Sequence, residues 1–150
     1  MSDGREEDAK EHPRLVMLSE FDGEIEGRLK FHKSLYQYRN SDEATSEWSF
    51  RREERGPLDP GFSSLMQSYE DLDLTEIDED EEPHIFRITE KGRRFVDGLE
   101  KGLSKLDNTF FGKRDAISEI ASRNKQRSGS EIAEDEEIQE AKEDPYQTDV

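Results

Sequence analysis

The stretch Pro83-His84-Ile85-Phe86-Arg87-Ile88-Thr89-Glu90-Lys91-Gly92-Arg93-Arg94-Phe95 decides the fold of this chain. Its first half alternates polar and apolar residues, which is the period of a half-buried β-strand. Thr89 then stands where a helix N-cap is expected. The apolar residues that follow recur at helical spacing: Val96, Leu99, Leu103 and Leu106. The stretch therefore predicts a strand that runs directly into an amphipathic helix.

A helix and a partner strand are predicted just upstream of this stretch. Apolar residues recur at helical spacing from Phe62 to Leu72, and Asp59 precedes them as a candidate cap. Leu74–Ile77 is the predicted partner strand, and the acidic run 78–82 forms the hairpin tip.

The remaining elements complete the architecture. The predicted set is a helix starting near Pro13, a brief strand at Ile25, a helix from Gly27 to Arg39, a half-buried strand over Glu47–Arg52, and a last helix from Lys113 to Lys125. Their order predicts an α+β, mainly helical winged helix, with a three-helix core, a β-hairpin wing and C-terminal helices.

Charge and polarity set the expected domain limits. The chain has 39 acidic and 22 basic residues, a net charge of −17. Residues 1–12 and 128–150 are polar, and Ile132 and Ile138 are too sparse to bury much surface, so we expect both ends to be disordered. Residues 13–127 are then the winged-helix domain with its C-terminal helix.

Composition argues against several functional classes. There is no cysteine, and the three histidines lack ligand-like spacing, so we expect no metal and no cofactor. No carboxylate pair is placed in an apolar pocket, so we expect no enzyme. Without a signal peptide or membrane span, the prediction is a cytoplasmic protein. The acidic excess is typical of halophilic proteins, because molar salt screens self-repulsion.

Three motifs resemble known families. Gly27–Tyr36 resembles a helix of YwgA-like proteins, which has relatives in Panacea (SocA-type) antitoxin domains. Arg55-Gly56-Pro57 resembles their Tyr-Gly-Pro turn, and Ile88–Gly92 resembles the Leu-Thr-x-x-Gly that follows the wing in MarR- and PadR-type regulators. The resemblance covers about residues 13–107 and implies a DNA-binding transcriptional regulator.

Candidate DNA-binding residues fall into two groups. The outward face of the helix in the recognition position is polar and can contact bases or form a solvated surface: Ser63, Ser64, Gln67 and Ser68. Two basic clusters can neutralise phosphates or pair with neighbouring acids: Arg51, Arg52 and Arg55 in one, Lys91, Arg93 and Arg94 in the other.

The sequence departs from the DNA-binding pattern in two places. About 20 residues separate the helices that a helix-turn-helix joins with three or four. The wing tip is acidic, where a DNA-reading wing presents Arg or Lys. Two hypotheses therefore stand. One is a dimeric regulator that binds double-stranded DNA and pairs through its C-terminal helices. The other is an antitoxin-like or adaptor module whose acidic wing and tail bind a basic protein partner.

Overall fold

The computed structural model describes residues 10–41, 44, 48–107 and 109–150, and its architecture is α+β. The helices are α1 Pro13–Glu20, α2 Arg28–Arg39, α3 Phe62–Asp71, α4 Glu90–Leu106, α5 Phe110–Asn124, α6 Gly129–Ile132 and α7 Glu136–Lys142. The strands are β1 Glu24–Glu26, β2 Arg51–Glu53, β3 Gly56–Leu58, β4 Thr75–Asp78 and β5 Ile85–Ile88. The predicted helices α1 to α5 and the predicted hairpin are confirmed, with ends shifted by a few residues.

The three-stranded antiparallel sheet has the order β1-β5-β4. Phe86 lies in the central strand, opposite Ile25 on one side and Ile77 on the other. Its ring is fully buried and packs edge-on against Phe31 of α2 and Phe62 of α3, with centroids 5.4 and 5.5 Å away. This aromatic contact fixes the sheet on the two helices, because edge-to-face packing adds to the burial of the rings.

The junction between β5 and α4 explains the Thr-x-x-Gly pattern. The Thr89 hydroxyl accepts a hydrogen bond from the Gly92 amide at 3.0 Å and donates one to the Asp73 carbonyl at 2.7 Å. Gly92 is glycine because a Cβ there would lie 2.2 Å from the Leu74 carbonyl oxygen. The pattern thus joins an N-cap to a close approach between α4 and the start of β4.

A Gly92→Ala substitution is expected to destabilise the protein by about 2 kcal/mol or more, because backbone must move to admit the methyl group. Gly98→Ala is the matched control in the same helix, since a Cβ there meets no atom within 4 Å. The control is expected to gain up to about 1 kcal/mol from helix propensity. Urea unfolding of both variants measures the difference, and equal effects would contradict the proposed packing.

A second hairpin, β2–β3, fills the long connection between α2 and α3. Trp48 and Phe50 lead into it and are buried, as the predicted alternation requires, while the strand itself is Arg51–Glu53. Glu47, at the start of the predicted strand, lies outside the described residues. The chain end runs along this hairpin, with the Val150 amide donating to the Phe50 carbonyl at 2.8 Å and the Arg52 amide to the Thr148 carbonyl at 2.7 Å.

The expectation of a disordered tail from residue 128 was wrong. The structure forms α6 and α7 there and buries one side of each, which comprises Ile132, Ala133, Ile138 and Ala141. These helices cover the polar side of α2, where Lys33 donates to the Gly129 carbonyl at 3.0 Å and Gln37 to the Asp135 carboxylate at 2.7 Å. A few apolar residues are enough to hold α6 and α7 on α2, because hydrogen bonds satisfy the polar groups that are buried beside them.

One local signal in the sequence is typical of the helix that begins this C-terminal segment. Ser128 and Glu131 have the spacing of a capping box, and both of its reciprocal hydrogen bonds form, each 3.1 Å long. At the other end, residues 1–9 of the expected disordered extension lie outside the described residues. Within residues 10–12, Glu11 pairs with Lys113 at 2.7 Å and His12 contacts the Tyr69 hydroxyl at 2.8 Å, so these residues are packed against the domain.

Candidate functional site

The candidate site consists of the outward face of α3 and the tip of the β4–β5 hairpin. On α3, Phe62, Met66 and Tyr69 are buried, while the predicted polar face is exposed: Ser63, Ser64, Gln67 and Ser68. The Gln67 amide donates to the Asp71 carboxylate at 3.0 Å, and Ser68 bonds to the Ser64 carbonyl at 3.1 Å. These residues therefore lie on one accessible surface, which includes acidic groups at the end of α3.

The hairpin tip is strongly acidic, with four consecutive acidic residues at positions 79–82. Glu79 to Pro83 are exposed, and Asp78 accepts a hydrogen bond from the Asp80 amide at 3.1 Å. Arg87 on β5 has Glu24 at 2.8 Å and Asp78 at 3.7 Å as partners. Hydrogen bonding to Glu24, together with the charges of Glu24 and Asp78, raises the pKa of Arg87 above its ordinary value. Arg87 is thus paired within the sheet.

The first predicted basic cluster is divided by the fold. Arg51 is exposed on β2. The Arg52 guanidinium donates to the carbonyls of Glu53 and Lys142, which ties it to the C-terminal segment. Arg52 is therefore tied to the C-terminal segment, while Arg51 and Arg55 are exposed, and phosphate binding by this cluster stays a prediction.

The second predicted basic cluster lies at the base of the hairpin. The register pairs Thr75 with Ile88 at this end and Asp78 with Ile85 at the tip end, so the start of α4 and the tip are at opposite ends of the strands. Lys91 donates to the Leu72 carbonyl at 2.9 Å and Arg93 to the Asp22 carbonyl at 3.1 Å. Arg94 pairs with Glu90 at 2.6 Å on an exposed helix face. All three cations stay exposed, but they do not flank the tip.

A buried polar network holds α3 in place, and sequence reasoning missed it. Arg14 and Asp59 are buried and form a bidentate pair, with nitrogen–oxygen distances of 2.6 and 2.8 Å. The Asp59 carboxylate also accepts from the Trp48 indole and from the Gly61 amide, each at 3.1 Å. The N-cap of α3 is Gly61, so the predicted cap at Asp59 was wrong. Asp59 instead connects α1, the segment at Trp48 and the start of α3. Its Asp-Pro-Gly context was the only local signal.

His32 belongs to the same network. Its Nδ1 atom accepts a hydrogen bond from the Asp59 amide at 3.0 Å, so the neutral ring is required. Burial, with the nearby charges of Arg28 and Arg14, lowers the pKa of His32 from 6.5 to about 3. The folded protein therefore resists protonation of this ring at pH values where an exposed histidine is already charged.

This pKa shift predicts a pH-dependent stability. The unfolded chain binds a proton near pH 6.5 and the folded chain does not until about pH 3, so this contribution is complete above pH 6.5 and is lost as the pH falls. Between pH 7 and pH 5 the loss is about 2 kcal/mol. Between pH 7 and pH 5, the free energy of unfolding of His32→Gln is expected to fall by about 2 kcal/mol less than that of the unmodified chain. Urea unfolding at both pH values measures this difference. Equal pH slopes in the two proteins would contradict the neutral, buried ring.

A cleft of about 980 Å³ lies between the hairpin tip, the start of α2 and the α5–α6 connection. Its lining contains equal numbers of cations and anions: Arg28, Lys30, Lys125 and Arg127, and Glu24, Glu26, Glu82 and Glu131. Lys30 donates to the Lys125 carbonyl at 2.9 Å, and Arg127 pairs with Asp135 at 2.6 Å. The cleft therefore has no surplus charge with which to select an ionic ligand.

Other candidate features can be placed on the same structure. No group of three or more potential metal ligands occurs in the described ranges. No helix among the described residues is both long and apolar enough to cross a membrane. Pairing through the C-terminal helices was predicted, and on α5 most large apolar side chains are buried within the chain: Phe110, Ile117 and Ile120 are buried, and Phe111 is 53% exposed. No protein-family model, curated protein or solved structure matches this chain.

Proposed function

We propose that this chain is a winged-helix protein that acts as a non-enzymatic interaction module, with the β4–β5 hairpin as its wing. The succession of α1, β1, α2, α3, the hairpin and α4 supports this fold, as does the pairing of β1 alongside the hairpin. The β2–β3 hairpin is then an insertion between α2 and α3, which accounts for the long connection between them.

The proposal of a basic protein partner rests on one observation. From Gly56 to Phe86 the chain contains no Lys or Arg, and this segment includes α3, β4 and the hairpin tip. The surface that a winged-helix regulator would apply to DNA is therefore acidic, and phosphates would be repelled from it. A basic protein surface fits this charge, because complementary potentials favour encounter and suppress wrong partners.

Neutralising the tip is expected to remove this interaction. The variant Glu79→Gln/Asp80→Asn/Glu81→Gln/Glu82→Gln is expected to bind a synthetic Lys/Arg-rich peptide about tenfold more weakly than the unmodified chain, from four exposed charge contacts. Fluorescence anisotropy over a KCl series measures the affinity. The matched control removes the same charge away from both the β4–β5 hairpin and the C-terminal tail, from exposed residues: Glu54→Gln, Asp97→Asn, Asp115→Asn and Glu119→Gln. If both variants lose the same amount of affinity for the peptide, the effect comes from net charge alone, which would contradict a site at the tip.

Double-stranded DNA binding is the second candidate, and one observation favours it. Ser63, Ser64, Gln67 and Ser68 remain uncovered by the C-terminal helices, as a base-reading face requires. Duplex binding in molar KCl that is weakened by Gln67→Ala and by Arg93→Ala/Arg94→Ala would support a transcriptional regulator over the interaction module.

A further inference from the structure

The exposed side of α4 carries two parallel rows of residues. One row follows the positions 91, 94, 98, 101 and 105, and its residues are Lys91, Arg94, Gly98, Lys101 and Lys105. The other follows the positions 95, 99, 102 and 106, and its residues are Phe95, Leu99, Gly102 and Leu106. We call the two rows together the α4 ridge. Both rows alternate steps of three and four residues, so each forms a continuous stripe along the helix.

The apolar row is partly uncovered: Leu99 is half-buried against the core, and the Phe95 ring lies 5.0 Å from the His12 ring, edge to face. Leu106 is 85% exposed and Phe95 is 38% exposed, whereas Val96, on the neighbouring side of α4, is buried in the core. Around Gly98 and Gly102 no atom lies within 4 Å of the position a Cβ would take. Exposed Leu and Phe beside open glycine positions leave space for another helix to approach the backbone of α4 closely.

The period of the rows identifies the kind of occupant. Steps of three and four average about 3.5 residues, the repeat by which one α-helix packs along another over several turns. The ridge extends over about 22 Å, at roughly 1.5 Å for each residue of the helix. A partner helix of about three heptads would cover it.

The charge of the ridge identifies the chemistry of that helix. All four charged residues of its first row are basic and exposed, in a chain with a net charge of −17. Arg94 has Glu90 beside it, and no acidic group of the described residues pairs with Lys101 or Lys105. A second copy would bring the same basic row against this one in an antiparallel pair, which is repulsive. Acidic residues flanking an apolar seam fit instead.

We propose that the α4 ridge docks an acidic amphipathic helix of a partner protein. Leucines of that helix pack on Phe95, Leu99 and Leu106, and its flanking carboxylates pair with Lys101 and Lys105. This surface is separate from the hairpin tip and opposite to it in charge. The chain thereby gains a second site, selective for acidic partners, on the helix that follows the wing.

The test uses two designed helical peptides of about three heptads. Both have leucine at the seam positions, and they differ only in having glutamate or lysine at the flanking positions. The comparison is made in the variant with the neutralised hairpin tip, so that the site proposed for basic peptides does not contribute. By fluorescence anisotropy, this variant is expected to bind the glutamate peptide at least about tenfold more tightly than the lysine peptide. In the same background, Lys101→Glu/Lys105→Glu is expected to reverse this preference, and Leu106→Asp to abolish binding of the glutamate peptide. Arg55→Glu, an exposed site in the β2–β3 turn, is the charge-reversal control and is expected to leave the preference unchanged.

Several outcomes would overturn the proposal. Equal affinity for the two peptides, or none for either with circular dichroism unchanged, removes the acidic partner. A concentration-dependent dimer in sedimentation that Leu106→Asp disrupts assigns the ridge to a second copy. Binding to anionic lipid vesicles without peptide binding assigns it to a membrane surface. If neutralising the hairpin tip leaves the affinity for the glutamate peptide unchanged, the α4 ridge binds independently of the tip. The two proposals can then fail separately.

Discussion

Asp59→Ala is expected to destabilise the protein by about 4 kcal/mol, because removing one partner of a buried, hydrogen-bonded ion pair is strongly destabilising. Arg14 and Asp59 both have fully buried side chains, and their closest nitrogen–oxygen distance is 2.6 Å. The substitution also removes the acceptor of the Trp48 indole and of the Gly61 amide. The start of α3 thereby loses its connection to α1. Urea unfolding at constant high KCl measures the loss.

Two further variants isolate the cause of this effect. Asp80→Ala removes an exposed carboxylate at the hairpin tip and is expected to change stability by less than about 0.5 kcal/mol. Arg14→Met/Asp59→Ala is expected to recover part of the loss, since the buried guanidinium is then removed together with the carboxylate. A loss in Asp59→Ala no larger than in Asp80→Ala would show that the network does not hold α3.

The second large effect concerns the C-terminal helices. Ile132→Ala/Ile138→Ala is expected to cost about 5 kcal/mol, because each large-to-small change in a core typically costs 2 kcal/mol or more. Both side chains are fully buried, one in α6 and one in α7. The substitutions are expected to undock these helices from α2 and to expose the groups around Lys33 and Gln37. Urea unfolding and hydrogen exchange of the amides in residues 129–142 provide the measurements.

A surface change in the same segment serves as the control. Glu140→Ala alters an exposed residue of α7 and is expected to leave both stability and exchange nearly unchanged. If amides of residues 129–142 exchange rapidly in the unmodified chain, the C-terminal segment is not docked and the structural assignment fails. Slow exchange that is lost only in the double variant supports it.

Local sequence patterns sufficed for elements whose signals lie within a few residues. The alternation of Ile85–Ile88, the Thr89 cap and the apolar spacing of α4 predicted a strand, a turn and a helix, and the structure confirms each of them. The acidic tip was equally readable, because it depends on composition alone. Periodicity reports which side of an element is apolar, but burial follows it only in part: Phe86 and Val96 are buried, whereas Leu106 is 85% exposed.

Patterns within a segment do not report which distant groups meet. Arg52 looked free to bind phosphate, yet it contacts the Lys142 carbonyl, 90 residues away along the chain. The C-terminal segment looked too polar to fold, yet α2 supplies hydrogen-bond partners for it from a face that is polar and buried. Such partners are chosen by the packing of whole elements, so a sequence window holding only one of the two groups cannot indicate them.

The amino-acid sequence by itself determined the helices α1 to α5, the hairpin and the distribution of charge along the chain, because propensity, period and capping act between near neighbours. Only the tertiary structure decided that Asp59 is a buried junction and that the chain end is folded. It also left the α4 ridge exposed. Burial depends on every element that packs around a residue, and the free energy of a charge or an apolar side chain changes with that burial.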